Sequence, residues 1–251
     1  MNLTPAELAA HNNAVWCDTV CRAHGSAGAF DPDAWQHVRL SPPGYPNLVT
    51  LRADAEVAAV LGHLRRLRAE LPERAWGVKD SFCTLDLTAL GFDALFEASW
   101  IHLPPSASSA TSTAGDLHWA EVTSADELAR WEHGWAGGDV SGDAQRVFLP
   151  GLLADPEVCV MAAWQGSQRV GGAILNRSER GGTAVVGLSN VHTDDDPVPL
   201  YVSLAAAARA RCPGLTVVGY EGGAWLAAAQ ASGFEVAGPL RVWLRRTPGL
   251  T

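Results

Sequence analysis

Two short signatures recur along this chain at one fixed distance. Gly77 is followed fourteen residues later by Gly91-Phe92-Asp93, and Gly219 is followed fourteen residues later by Gly233-Phe234-Glu235, an offset of 142 in each case. Val49 falls on Val191 at the same offset, and Trp100 falls on Trp243 with a slip of one residue. Self-similarity at a fixed spacing is the mark of a duplicated unit, so the chain is expected to hold the same supersecondary unit twice. The segment PPSASSATSTAGD (104–116) has almost no large apolar side chain to bury and reads as the linker between them. Expected units are therefore residues 1–103 and 117–251.

A chain of 251 residues with 47% apolar content can bury two modest cores. Its net charge of -9 argues against nucleic acid or an anionic membrane as partner, because phosphate binding needs clustered Lys and Arg. The N-terminal MNLTPAELAAHNN has neither a basic start nor an apolar run, and no segment approaches twenty apolar residues. A cytoplasmic protein acting on a small molecule is expected, with its five cysteines kept as thiols. Of the 18 basic residues, Lys79 is the single lysine.

In the second unit, LHWAEV reads as a strand, and Ser124 with Glu127 forms a capping box that opens a helix. VCVMAAWQ and RVGGAILN read as a hairpin and TAVVGLSNV as the next strand. PVPLYVSLAAAARARC is helical, LTVVGYE a strand, GAWLAAAQASG a helix closed by Gly233, and FEVAG and LRVWLRR two final strands. The first unit keeps only the later elements: NLVTL, a helix from DAEVAAVLGHLRRLRAEL, WGVKD, a short helix at LDLTAL, and FDALFEASWIHL, preceded by a helix over 5–24.

This order, carried by VGGAILN (170–176), VVGLSNV (185–191), VVGYE (217–221) and AAAQASGFEVAGPLRVWLR (227–245), resembles the GNAT superfamily of acyl-CoA-dependent N-acyltransferases. The resemblance covers 117–246 well and 44–103 in degenerate form. It implies an α/β fold of the α+β mixed-sheet kind, in a tandem arrangement whose N-terminal unit is truncated. It also implies a V-shaped split between the strands ending at Val191 and Glu221, with acetyl-CoA or another acyl-CoA entering it and pairing with Asn190, Val191 and Thr193. The activity implied is N-acyl transfer to a small amine or amino-acid-like acceptor. One departure stands out. Where the family has a basic, glycine-rich diphosphate loop at a helix N-terminus, this chain has HTDDDPVPL (192–200). A CoA-independent scaffold, binding a ligand or running other chemistry between the units, is the competing expectation.

Glu221 is either a general base with a proton affinity raised by apolar surroundings or a strand-end carboxylate taking N–H bonds from the helix after Gly222-Gly223. His192 and Asn190, two apart on one strand, point the same way and suggest a polar site, a capping histidine being the alternative. Lys79 falls on Glu221 at the offset of 142, beside Asp80 and Ser81, and is placed to bind a substrate carboxylate or phosphate unless it is a solvated strand end. Asn176, in NRS, is explained by turn chemistry. On the N-terminal helix, Ala10, Ala14, Cys17, Cys21 and His24 form one stripe. That is the spacing of a core face and not of a zinc site, although Cys21 and His24 sit one turn apart as a nucleophile and base would. The flank with Asn12, Asn13, Trp16 and Asp18 is more polar than an interior helix would be, and the resemblance implies that a helix near the N-terminus floors the acceptor pocket, so Trp16 and Cys17 are further substrate-binding candidates.

Overall fold

A capping box starts the first helix, α1 (Pro5–Ala23): the Thr4 hydroxyl accepts from the Glu7 N–H and the Glu7 carboxylate accepts from the Thr4 N–H. A computed structural model describes this chain over residues 3–55, 57–107, 117–137 and 146–245. Ala9, Ala10, Ala14, Cys17 and Cys21 of α1 are at most 1% exposed, because small side chains let the helix approach a sheet closely. The polar flank is buried too, and each polar group has a partner. Asn12 donates to the Asn176 carbonyl and the Ser178 hydroxyl, and Asp18 accepts from the Gly28 N–H and the Trp35 indole.

The described strands form one sheet of eleven. In chain order they are β1 (Ala29–Phe30), β2 (Ala34–Gln36), β3 (Leu48–Thr50), β4 (Trp76–Asp80), β5 (Phe92–Leu103), β6 (Leu117–Glu121), β7 (Val158–Gln165), β8 (Gln168–Arg180), β9 (Thr183–Thr193), β10 (Thr216–Glu221) and β11 (Glu235–Arg245). Across the sheet the order is β1-β2-β3-β4-β11-β5-β10-β9-β8-β7-β6. Two pairs are parallel, β3 with β4 and β9 with β10, and the rest are antiparallel. The sheet is therefore mixed, as expected. It also runs without a break past residues 104–116, because β5 lies between β10 and β11, and β11 between β4 and β5. Of the expected linker, 108–116 lie outside the described residues.

Helices cover both faces. α1 and α3 (Ala125–Ala136) lie on one, where Trp16 and Val20 meet Leu128 and Trp131 over Val160 and Ile174. α2 (Val57–Glu70), α4 (Pro197–Arg211) and α5 (Gly223–Ala231) lie on the other, α2 over Leu48 and Val78, α4 and α5 over Val186 and Val217. α1 crosses the middle of the sheet, touching β3, β5, β8, β9, β10 and β11. Beneath it Trp100, with no exposed surface, donates its indole N–H to the Ser81 carbonyl at 2.7 Å. Burying such a side chain stabilises by about 3 kcal/mol.

Two local expectations change. FEVAG and LRVWLRR are one strand, β11, continuous to Arg245 through register shifts at Val236/Gly238 and Val242/Trp243, since Pro239 has no N–H to give but a bulged strand accommodates it; Arg246 lies outside the described residues. The short hairpin of β1 and β2 had no sequence expectation. Asn176 is no turn residue: it is 2% exposed within β8 and binds α1 through the Asn12 carbonyl.

Candidate functional site

The parallel ladder between β9 and β10 runs through Thr216–Val185, Val217–Val186 and Val218–Gly187 and goes no further. Beyond it β9 continues to Thr193 and β10 to Glu221, so the two strands part and an edge of β9 is left without a strand partner. At the split β9 also bulges. Its pairing with β8 passes from Ile174–Ser189 to Gly172–His192, one residue longer on β9, and Asn190 takes a left-handed φ of 55°. Asparagine tolerates that conformation better than most residues.

A cavity of ≈ 250 Å³ fills the mouth of the split. Six of the ten expected site residues line it: Trp16, Cys17, Lys79, Asn190, Val191 and Glu221. Four do not. Asp80 turns into its own loop, where its carboxylate accepts from the Thr84 and Leu85 N–H groups, and Ser81 is fully buried with its N–H given to the Thr50 hydroxyl. The Thr193 hydroxyl donates to the Val170 carbonyl at 2.6 Å. His192 stands edge-on to Trp131, ring centroids 4.8 Å apart, and burial lowers its proton affinity. Its Nδ1 stays within 3.2 Å of the Asn190 carbonyl, but only the Asn190 side chain lines the cavity, so the expected shared site of the two side chains does not form.

Lys79 is 4% exposed. Its Nζ donates to the Asn13 Oδ1 at 2.8 Å and lies 3.9 Å from the centre of the Tyr220 ring. Among the described residues it has no salt bridge, which is unusual for a buried cation. Glu221 faces the same cavity, but from the other side of the sheet. β4 places Val78 against α2 and Lys79 against α1, whereas β10 places Val218 against α1 and Glu221 against α4. The count of 142 that aligns Lys79 with Glu221 is thus out by one in the pleat, and the two are not equivalent positions. The split lets both reach one space. Desolvation raises the Glu221 carboxyl from 4.5 to about 7, and the Tyr201 hydroxyl, which donates to its Oε1, opposes part of that rise. Among the described hydrogen bonds Glu221 takes none from the start of α5.

Several residues here were not expected. Asn190 Oδ1 accepts from the Trp16 indole at 3.1 Å and from the Tyr45 hydroxyl at 3.3 Å, which closes a polar knot at the cavity wall. Tyr220 supplies the ring under Lys79. The chain has three tyrosines, and Tyr45, Tyr201 and Tyr220 all meet at this place. That scarcity was a usable signal, like the single lysine.

Burial keeps the two α1 thiols protonated near neutral pH, raising Cys17 to about 11 and Cys21 to about 12. His24 turns its Nε2 to the Val147 carbonyl and not to Cys21. Among the described residues no three His, Cys, Asp or Glu side chains are grouped to hold a metal.

No known family model matches the sequence, and no curated protein sequence does. Solved structures do match. A GCN5-related N-acetyltransferase from Kribbella flavida superposes over 96% of this chain and 96% of its own, with a TM-score of 0.62 at 15% identity. The chain has the GNAT fold. A functionally unknown conserved protein from Staphylococcus epidermidis ATCC 12228 matches over 87% of this chain and 93% of its own, TM-score 0.62, 10% identity. A conserved protein of unknown function from Bacteroides thetaiotaomicron VPI-5482 matches over 94% and 92%, TM-score 0.53, 13% identity. At these identities the likeness is one of fold.

The resemblance to the GNAT superfamily implies acyl-CoA, and the residues present suit the two ends of such a molecule unequally. The open edge of β9 fits an extended arm. The start of α4 does not fit a diphosphate. Asp194, Asp195 and Asp196 are exposed there; Pro197 and Pro199 have no N–H; the Val198 N–H is given to Asp196 and the Asp195 N–H to Thr193. A helix N-terminus binds anions through free N–H groups and its dipole, and here four of those groups are missing or taken and three carboxylates face the incoming charge.

Proposed function

We propose that the chain is a small-molecule acyltransferase of the GNAT type, acting on an amine that also bears a carboxylate, within a tandem pair of units divided near 104–116. One observation carries this: Lys79, buried and among the described residues without a carboxylate partner, and Glu221, half-buried with a proton affinity raised to near neutrality, line the same cavity. A buried ammonium lacking a counter-ion favours an anionic ligand group, and a carboxylate tuned to about 7 accepts a proton best near that pH. Lys79 holds the acceptor's carboxylate. Glu221 removes a proton from its ammonium, freeing the nitrogen lone pair. Trp16, Tyr45 and Tyr220 limit water around both. The freed nitrogen attacks the carbonyl carbon of an acyl thioester laid along the edge of β9; the C–N bond forms, the C–S bond breaks, and the sulfur leaves as a thiol with the proton the nitrogen gives up. Acetyl-CoA gripped by its diphosphate at α4 is not part of this proposal.

Acyl transfer to amino-acid acceptors from short acyl thioesters, followed by mass spectrometry, tests it. Glu221→Gln is expected to lower turnover at least 100-fold with acceptor affinity within threefold; unchanged turnover would sink the assignment. The α4 start favours a second function, a CoA-independent ligand-binding module. Absence of transfer from any thioester, together with retained carboxylate binding in wild type and Glu221→Gln alike, selects it.

A further inference from the structure

A second cavity, of ≈ 350 Å³, adjoins the first and shares Tyr45, Lys79 and Tyr220 in its wall. The rest of its wall is mainly apolar, with Pro42, Leu95, Phe96 and Val242 among its residues. The sheet register explains the arrangement. β11 pairs Val242 with Lys79 on one side and with Phe96 on the other, so Lys79, Val242 and Phe96 are successive cross-strand neighbours on one face. Directly opposed side chains stand about 5 Å apart, which makes a row of about 10 Å from a cation to an aromatic ring. Phe96 is 42% and Leu95 56% exposed, an unusual outlay of apolar surface beside a buried ammonium.

We propose that the ligand is amphipathic: a carboxylate seated on Lys79, with a branched aliphatic or aryl group extending over Val242 and Phe96 into the second cavity. This rests on the function proposed above only for the reaction performed; the ligand class follows from the row itself. An acceptor of this class is an amino acid or amino acid derivative with a large apolar side chain. A cavity of this volume accommodates such a side chain, and burial of each methylene strengthens binding about fourfold.

Calorimetric titration of the full chain with acetate, glycine, L-leucine, L-phenylalanine and 3-phenylpropionate tests it. Expected is at least tenfold tighter binding of 3-phenylpropionate than of acetate, and of leucine and phenylalanine than of glycine. Phe96→Asp, at an exposed position, erases that preference. Lys79→Met, or Lys79→Gln if the first does not fold, weakens every carboxylate at least tenfold. Equal affinities along the series, no binding of any of the five, or a preference that survives Phe96→Asp overturns the proposal. The acyl-transfer reading fails separately: a preserved ladder with no acyl transfer removes that function and leaves this ligand class standing, while turnover of glycine with a flat ladder does the reverse.

Discussion

The two parallel strand pairs end in opposite ways. β9 and β10 part after Gly187 and Val218 and leave a cavity; β3 and β4 pair through Leu48–Val78 and Val49–Lys79, and the space beyond is closed by the chain's own side chains. Thr50 accepts the Ser81 N–H at 2.8 Å, and Asp80 accepts two more N–H groups from the loop that follows. Both pairs leave backbone groups needing partners. One solves this internally and is sealed, the other leaves the need to a ligand. From the sealed pair only Lys79 reaches the cavity, because the pleat turns it toward α1.

Four experiments press on that difference. The largest effect is on the sealed side: Asp80→Ala strands the Thr84 and Leu85 N–H groups, Leu85 itself being buried, and is expected to cost about 3 kcal/mol in urea unfolding. An equally large loss on the open side, from Asn190→Ala, would abolish the contrast.

Next comes pH. Glu221 binds its proton more tightly when folded, so its contribution is fully present below pH 4.5 and is lost as pH rises toward 7. Relative to Glu221→Gln, wild type is expected to lose on the order of 2 kcal/mol across that interval. Parallel stability curves for the two proteins would show that water reaches the carboxyl freely. Turnover should instead rise through about pH 7, as Glu221 ionises.

Asn190→Ala should cost about 1 kcal/mol, since the Trp16 indole keeps the Tyr45 hydroxyl as an acceptor at 3.0 Å. The smallest effect belongs to the start of α4. Asp194→Asn with Asp195→Asn leaves the capping Asp196 in place and is expected to change stability by less than 0.5 kcal/mol. In the same pair, affinity for acetyl-CoA at low salt should rise no more than severalfold, because the two prolines still supply no N–H. A hundredfold gain, measured by calorimetry, would mean that charge alone had excluded the diphosphate.

Much of the element order was legible. Helix 5–24 is Pro5–Ala23, WGVKD is β4 residue for residue, and the capping box at Ser124 opens α3. Gly91 and Gly233, 142 residues apart, both take left-handed φ values, 79° and 94°, ahead of the long strands β5 and β11. Local rules of periodicity and capping suffice for such features. The site was legible in part. Lys79 and Glu221 were found because a lone lysine and a strand-end acid break an apolar pattern. His192 was misplaced because a bulge of one residue is invisible in composition, and Asp80 and Ser81 were drawn in by adjacency to Lys79.

By itself the sequence determined most of the segments that are helix and strand, and that few titratable groups interrupt the core. Periodicity, caps and turn glycines are local, and each acts within a few residues. The tertiary structure alone decided that β5 and β11 cross into each other's neighbourhood, that one split stays open while its counterpart is filled, and that Lys79 and Glu221 meet from opposite faces. Those outcomes depend on register and pleat between strands far apart in the chain, where a shift of one residue reverses the face a side chain points to.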